Sequence, residues 1–149
     1  TYYRGGQPED EDYADLAKLG VKTVINLIGD DELDENEQRD VEAHGMRFVN
    51  IPMLTRKNPT PEQLQQFLSI VNDPGSQPVY VHCVGGRHRT GVMTAVYRMT
   101  RDGISGEAAF KEMKQFKYGP DFLHPEFKKL VRNYEVPKAA AAATTRSQE

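Results

Sequence analysis

The sequence predicts an α/β fold: a mostly parallel central sheet of about four or five strands, flanked by helices on both faces. Three observations carry this. Apolar, β-branched runs (Val21 to Leu27, Met46 to Ile51, Pro78 to His82) alternate with segments of helical period. The runs are nearly continuous in their apolar character, as strands covered on both faces are. Each interval between them is long enough for a helical crossover, the connection that parallel strands require.

The elements follow in order. Tyr2-Tyr3-Arg4 reads as a short extended lead broken by Gly5-Gly6. An acidic helix runs from about Glu9 to Leu19, with Tyr13, Leu16 and Leu19 at helical spacing and Gly20 placed as its left-handed cap. After the strand Val21 to Leu27, a second acidic helix spans about Asp34 to His44 and ends at Gly45, with His44 structural. Met46 to Ile51 is the next strand, and Pro52 to Pro59 a loop. Thr60-Pro61-Glu62-Gln63 opens a helix with a cap, a proline at the first position and a capping-box glutamine. Leu64, Phe67, Leu68 and Val71 are its expected buried face. A turn at 72–78 leads into the strand Pro78 to His82, followed by a helix from Arg89 to about Thr100 that buries Val92, Met93, Val96 and Met99. Ser105 caps the next helix, with Ala109, Met113 and Phe116 on one side, and a last short helix lies near Pro125 to Val131. Residues 1–136 are expected to form one domain and 137–149 a flexible tail.

Composition narrows the functional classes. The chain has 149 residues (16.8 kDa), 38% hydrophobic and 28% charged, with a mean hydropathy of −0.68. That supports one core and no membrane span. A net charge of −3 gives no overall basic footprint for nucleic acid. One cysteine excludes an internal disulfide and a Cys-only zinc site. The charge is asymmetric: residues 1–50 carry a net −8 and residues 51–149 a net +5. Solvated helix faces explain such a split, and so does a second half that meets an anion. A cytoplasmic address is favoured; export stays open, because the chain begins at Thr1 rather than Met.

The chemistry concentrates in His82-Cys83-Val84-Gly85-Gly86-Arg87-His88-Arg89-Thr90-Gly91, between a buried strand and a helix start. Ligands in open α/β sheets bind at the carboxyl ends of strands. Five residues separate Cys83 from Arg89, and two of them are glycines. Such a loop can curl its amides inward and, with a helix N-terminus, bind a tetrahedral oxyanion. Arg89 adds a planar fork for two phosphate oxygens. The same field lowers a thiol from its usual pKa of about 8.5, leaving Cys83 a thiolate suited to attack phosphorus. Thr90 is placed to hydrogen-bond the sulfur, and His82 to fix the loop through its ring nitrogens. The plain alternative is a buried core thiol. A metal held by His82, Cys83 and His88 is disfavoured, since adjacent ligands rarely fit one tetrahedral ion and cations surround them. No cofactor and no metal are expected.

The run His82-Cys83, five residues, then Arg89-Thr90-Gly91 resembles the signature of the cysteine-dependent protein tyrosine and dual-specificity phosphatases, and the resemblance extends from Tyr3-Arg4 to about Val131. The stretch Arg87 to Gly91, with the spacing of Leu19 to Leu27, is similar to the atypical dual-specificity phosphatases of plants and fungi that act on inositol pyrophosphates. The resemblance implies a dual-specificity phosphatase-like fold, Cys83 as nucleophile, Arg89 on phosphate, and backbone donors from Val84, Gly85, Gly86, Arg87 and His88.

That family carries an aspartic acid on a mobile loop to protonate the leaving group. By position the loop is Met53 to Pro61, which holds no Asp or Glu. Asp30 is the general-acid candidate, with Asp31, because both follow a strand whose end should share an edge with Cys83; both also read as solvated surface. Glu62 reads as a helix-dipole partner, and Asp102 and Asp121 are unplaced. A phosphoanhydride leaving group needs less acid assistance, so the gap fits a polyphosphorylated substrate. Arg56 and Lys57 on the same loop, with Arg87 and His88, would form a cationic rim; a solvated surface pair is the other reading. The expected function is hydrolysis of phosphomonoesters or phosphoanhydrides through a phosphocysteine. The substrate would be a phosphoprotein or an inositol (pyro)phosphate, and the protein a monomer with no nucleic-acid partner. A rhodanese-like sulfurtransferase and a catalytically weak phosphate-binding module are the alternatives.

Overall fold

Four strands and six helices follow along the residues described by the structure, a computed structural model covering residues 2–29, 34–54, 57–116 and 125–136, the last three helices in succession. They are β1 (Tyr2–Gly5), α1 (Asp12–Lys18), β2 (Thr23–Ile28), α2 (Glu37–Ala43), β3 (Arg47–Met53), α3 (Pro61–Val71), β4 (Val79–His82), α4 (Arg89–Asp102), α5 (Gly106–Gln115) and α6 (Pro125–Asn133). The strands form one sheet in the order β1-β4-β2-β3, every pairing parallel. The expected tail, 137–149, lies outside the described residues.

β2 sits inside the sheet with all six residues buried, which is why it reads as continuous apolar sequence. Its alternate side chains serve opposite faces. Ile25 and Leu27 join Val79, Val81, Phe67, Val71 and Met93 in a core toward α3 and α4. Val24 joins Tyr13, Leu16, Val41 and Met46 in a second core under α1 and α2. A third, built from α4, α5 and α6, includes Val96, Phe110, Met113 and Phe127. Helices therefore cover both sheet faces, as expected. Each fully buried Val, Leu or Ile contributes roughly 1.5–3 kcal/mol by removal from water.

Several boundaries differ from the expectation for local reasons. α1 begins at Asp12 rather than Glu9, because the Asp12 carboxylate accepts from the Glu9 N–H (2.8 Å) in a turn ahead of it. It ends at Lys18, and the turn through Gly20 (φ +88°) leaves Leu19 58% exposed, outside the core. α2 starts at Glu37, not Asp34. On α3 the expected capping box is present: Thr60 Oγ1 accepts from Gln63 N (3.1 Å), and Gln63 Oε1 accepts from Thr60 N (2.9 Å). Ile70 joins Phe67 and Val71 on its buried face, while Leu64 and Leu68 are only partly covered. α4 runs on to Asp102 and stops at Gly103 (φ +70°). Phe116 lies past the end of α5 and is 45% exposed rather than core.

Candidate active site

Parallel strands bring the carboxyl ends of β4, β2 and β1 to one edge, with Asn26 and Gly5 level with His82 in the register. Cys83 follows β4 there. The loop 83–88 then rises into α4, whose N-terminus faces back over it. Cys83 and Arg89 are 3% and 5% exposed, and Thr90 is fully buried. Val84, Gly85 and Arg87 form the exposed outer turn, and His88, half-buried, is the residue from which α4 starts.

The loop closes on β1 as well as on itself. Gly86 has φ +72°, and a Cβ there would meet the Gly5 carbonyl group at 2.5 Å. Glycine is thus required for both backbone conformation and close approach. The Gln7 N–H donates to the Val84 carbonyl (2.9 Å), and the Arg4 guanidinium donates to the Gly86 carbonyl (2.7 Å). Arg4 also stacks on Phe116, 4.2 Å from the ring centroid, which gives that exposed aromatic its place. Arg89 reaches across to β3, where its Nη1 donates to the Met53 carbonyl (3.2 Å).

Burial pushes the Cys83 thiol up. Against it act the Thr90 hydroxyl, the backbone N–H groups of Thr90 and Gly86, and the charge of Arg89. The donors and the charge win, and the thiol titrates below its ordinary range. The sulfur is thus buried at a helix N-terminus with a guanidinium beside it, and its thiol is shifted toward ionisation. That arrangement can hold an oxyanion and attack it.

Beneath the loop lies a polar network that sequence reasoning does not reveal. His82 Nδ1 meets the carbonyl of Cys83 (2.9 Å), and Nε2 lies 2.8 Å from Glu37 Oε2, both side chains fully buried. The same Oε2 accepts from the Tyr13 hydroxyl (2.7 Å) and from Gln7 Nε2 (3.2 Å), and Oε1 accepts from Asn26 Nδ2 (2.5 Å). Asn26 and His82 are register partners on β2 and β4, so the pleat turns both toward α1 and α2. Burial pushes the Glu37 carboxyl up, but His82, Tyr13 and Asn26 outweigh it and hold it below the usual carboxylate range. Arg4, Gln7, Tyr13, Asn26 and Glu37 are the residues of this site that sequence reasoning missed. Glu37 was legible in one respect: it stands four residues before buried Val41, on the helix face that points inward.

The structure brings together Cys83, Gly86, Arg89 and Thr90, and places His82 under them. Lys57 is exposed, its N–H on the Leu54 carbonyl (3.2 Å). Glu62 is exposed in the first turn of α3. Asp102 pairs with Arg98 at the far end of α4, a helix of 14 residues or about 20 Å from the loop. His44 is a helix-end residue, its Nδ1 on the Asp40 carbonyl (2.8 Å). Asp30, Asp31, Arg56 and Asp121 lie outside the described residues.

The family described as a DSP-PTPase phosphatase fused to NAD+ kinase matches residues 1–129. The dual specificity protein phosphatase TpbA of Pseudomonas aeruginosa is 31% identical over 136 residues, which cover 91% of this chain. The chain spans 60% of the length of that relative. The crystal structure of TpbA in complex with pTyr overlays with a TM-score of 0.77 at 25% identity, over 97% of this chain and 86% of that one. The core catalytic domain of the PP-IP phosphatase SIW14 from S. cerevisiae, in complex with citrate, shares the fold with a TM-score of 0.79 at 21% identity, over 98% of this chain and 88% of that one. With its family model matched over residues 1–129, this chain belongs to the DSP-PTPase phosphatase family.

Proposed function

We propose that this chain is a phosphatase that hydrolyses phosphomonoesters or phosphoanhydrides through a phosphocysteine on Cys83. The observation that carries it is the placement of Cys83, buried with Arg89 and Thr90 at the start of α4 and with the Gly86 and Thr90 amides on its sulfur. In the first step the Cys83 thiolate attacks phosphorus. An S–P bond forms, the bond to the leaving oxygen breaks, and that oxygen takes up a proton or leaves as a stabilised anion. Loop amides and the Arg89 fork hold the phosphoryl oxygens as charge shifts among them. In the second step water attacks phosphorus and passes a proton to the carboxylate left by the general acid; the S–P bond breaks, inorganic phosphate forms and the thiolate returns, with the Thr90 hydroxyl donating to the departing sulfur.

Asp30 is our proposed general acid. β2 and β4 run parallel, and Gly29, the last described residue before it, leaves the sheet at the edge where Cys83 begins the loop. The proposed substrates are phosphoproteins and inositol (pyro)phosphates, with Arg56, Lys57, Arg87 and His88 as the cationic rim. TpbA was crystallised with pTyr and SIW14 is a PP-IP phosphatase, which supports keeping both classes. Nucleophile, guanidinium and loop all come from one chain, so a monomer suffices. The test is phosphate release from p-nitrophenyl phosphate, a phosphotyrosine peptide, a phosphoserine peptide, inositol hexakisphosphate and an inositol pyrophosphate. Turnover that Cys83→Ser abolishes and vanadate inhibits is expected. Turnover that survives Cys83→Ser contradicts the reading.

A further inference from the structure

A loop that holds an anion must keep its amides turned inward and its carbonyls turned out. In a planar trans peptide the N–H and the C=O point in opposite directions, so whatever holds the carbonyl also aims the amide. The Gly86 carbonyl shares its peptide with the N–H of Arg87. Gly86 is buried, and its carbonyl accepts from the Arg4 guanidinium at 2.7 Å. Arg4 is itself fixed. It stands on β1 opposite Val81 of β4, one residue before the pair Gly5 and His82. Its guanidinium stacks on the Phe116 ring, 4.2 Å from the centroid, at the end of α5. A Cβ at Gly91, in the first turn of α4, would lie 3.9 Å from its Nη2. A guanidinium can stack by its face and donate by its edge at once, which an ammonium cannot.

We propose that Arg4 is a positioning residue for oxyanion binding: it anchors the Gly86 carbonyl on the β1 side of the loop, so that the N–H of the same peptide, that of Arg87, points into the loop. This rests on the reading of the loop as an oxyanion site. The Gly86 N–H already lies on the sulfur, and Gly86 has φ +72°, the left-handed half of an amide nest, which turns successive N–H groups to one side. The anchor matters because the alternative is close at hand. Without Arg4 a buried carbonyl loses a charged donor. Rotating the peptide about its flanking bonds relieves that loss by turning the oxygen into the loop. There it would face the anion as an acceptor where a donor is needed. Arg4 thus acts through one peptide and without touching substrate.

The test uses inorganic phosphate and two readings: protection of Cys83 from iodoacetamide, and the Arg87 amide resonance in nitrogen–proton NMR. In the unaltered protein that resonance should move downfield as phosphate saturates the loop. Arg4→Met keeps the stem and its contact with Phe116 but removes the donor. It should need roughly ten- to a hundredfold more phosphate for equal protection, and kcat/KM on p-nitrophenyl phosphate should fall by a similar factor. Its Arg87 amide should fail to move even at saturating phosphate. Phe116→Ala, at an exposed ring, should weaken protection about two- to fivefold and add nothing in the Arg4→Met background. A lower Tm with unchanged protection would make Arg4 structural only. Weaker protection with the full amide shift at saturation would make it a distant charge only. Either result overturns the proposal. Should Arg4→Met not fold, the unaltered protein and Phe116→Ala decide: an Arg87 amide indifferent to phosphate, or protection that Phe116→Ala leaves unchanged, overturns it as well. Neither reading needs turnover. Failure of Arg4 therefore stands apart from failure of the site, which would show as a Cys83 that phosphate does not protect in the unaltered protein.

Discussion

The floor of the site and its rim are built on different physical terms. The floor consists of His82, Glu37, Arg89 and Thr90, all at most 5% exposed, tied to three strands (β2, β3 and β4) and three helices (α1, α2 and α4). The proposed rim is different: Val84 (44% exposed), Leu54 (39%), Arg87 and Lys57 stand in water. Groups on the floor act in a desolvated setting, where each donor or charge weighs heavily and each is cross-braced. Rim charges are screened and cheaply rearranged. The floor should therefore decide which bond is cleaved and how fast, and the rim which molecule carries that bond. Changes below should move kcat and the pH limb for every substrate alike. Changes above should move KM, and unequally.

The largest expected effect is on the floor. Arg89→Lys keeps the charge but loses the planar fork and the bond to Met53, so kcat/KM should fall roughly 10²–10³-fold on every substrate in a steady-state panel. A loss confined to one substrate would break the comparison. Next comes Gly86→Ala, which combines a left-handed backbone with a Cβ driven against Gly5. It should cost about 2 kcal/mol, a drop in Tm of roughly 4–8 °C by calorimetry, together with activity, since the Gly86 amide leaves the sulfur. Third is acid stability. The Glu37 carboxyl is depressed in the folded protein, so it stabilises the fold above its unfolded pKa of about 4.3. That contribution is lost as pH falls through the lower folded value. Denaturant unfolding at about pH 7 and about pH 3 should show a smaller pH-dependent loss in Glu37→Gln than in the unaltered protein. The smallest effect belongs to the rim: Lys57→Ala should change p-nitrophenyl phosphate turnover less than about twofold, and raise KM several-fold for a polyphosphate. Equal effects on both would remove the distinction between floor and rim.

Legibility in the sequence divides along the same line. Cys83, Arg89 and Thr90 could be read because the chemistry is contiguous, set between a β-branched run and an amphipathic helix. The strands could be read because β2 is buried on both faces and shows it in unbroken apolar sequence. Glu37 could not, because its partners come from α1, β2, β4 and the segment after β1, and only the sheet register unites them. In sequence it is one carboxylate among many in an acidic stretch. Leu19 and Phe116 misled for the opposite reason: both keep helical spacing after their helix has ended, and a turn, not periodicity, sets where they point. Arg4 carries no local signal, since its role comes from the loop of β4 folding over the end of β1.

Whether an ionised sulfur lies beneath an oxyanion site is read from the pH dependence of Cys83 alkylation in the unaltered protein, with and without inorganic phosphate. The expected midpoint lies below the ordinary thiol value of about 8.5, with protection by phosphate that Arg89→Lys weakens. A midpoint at or above that value, with alkylation indifferent to phosphate, would mean that the sulfur is a packed thiol and no oxyanion sits above it.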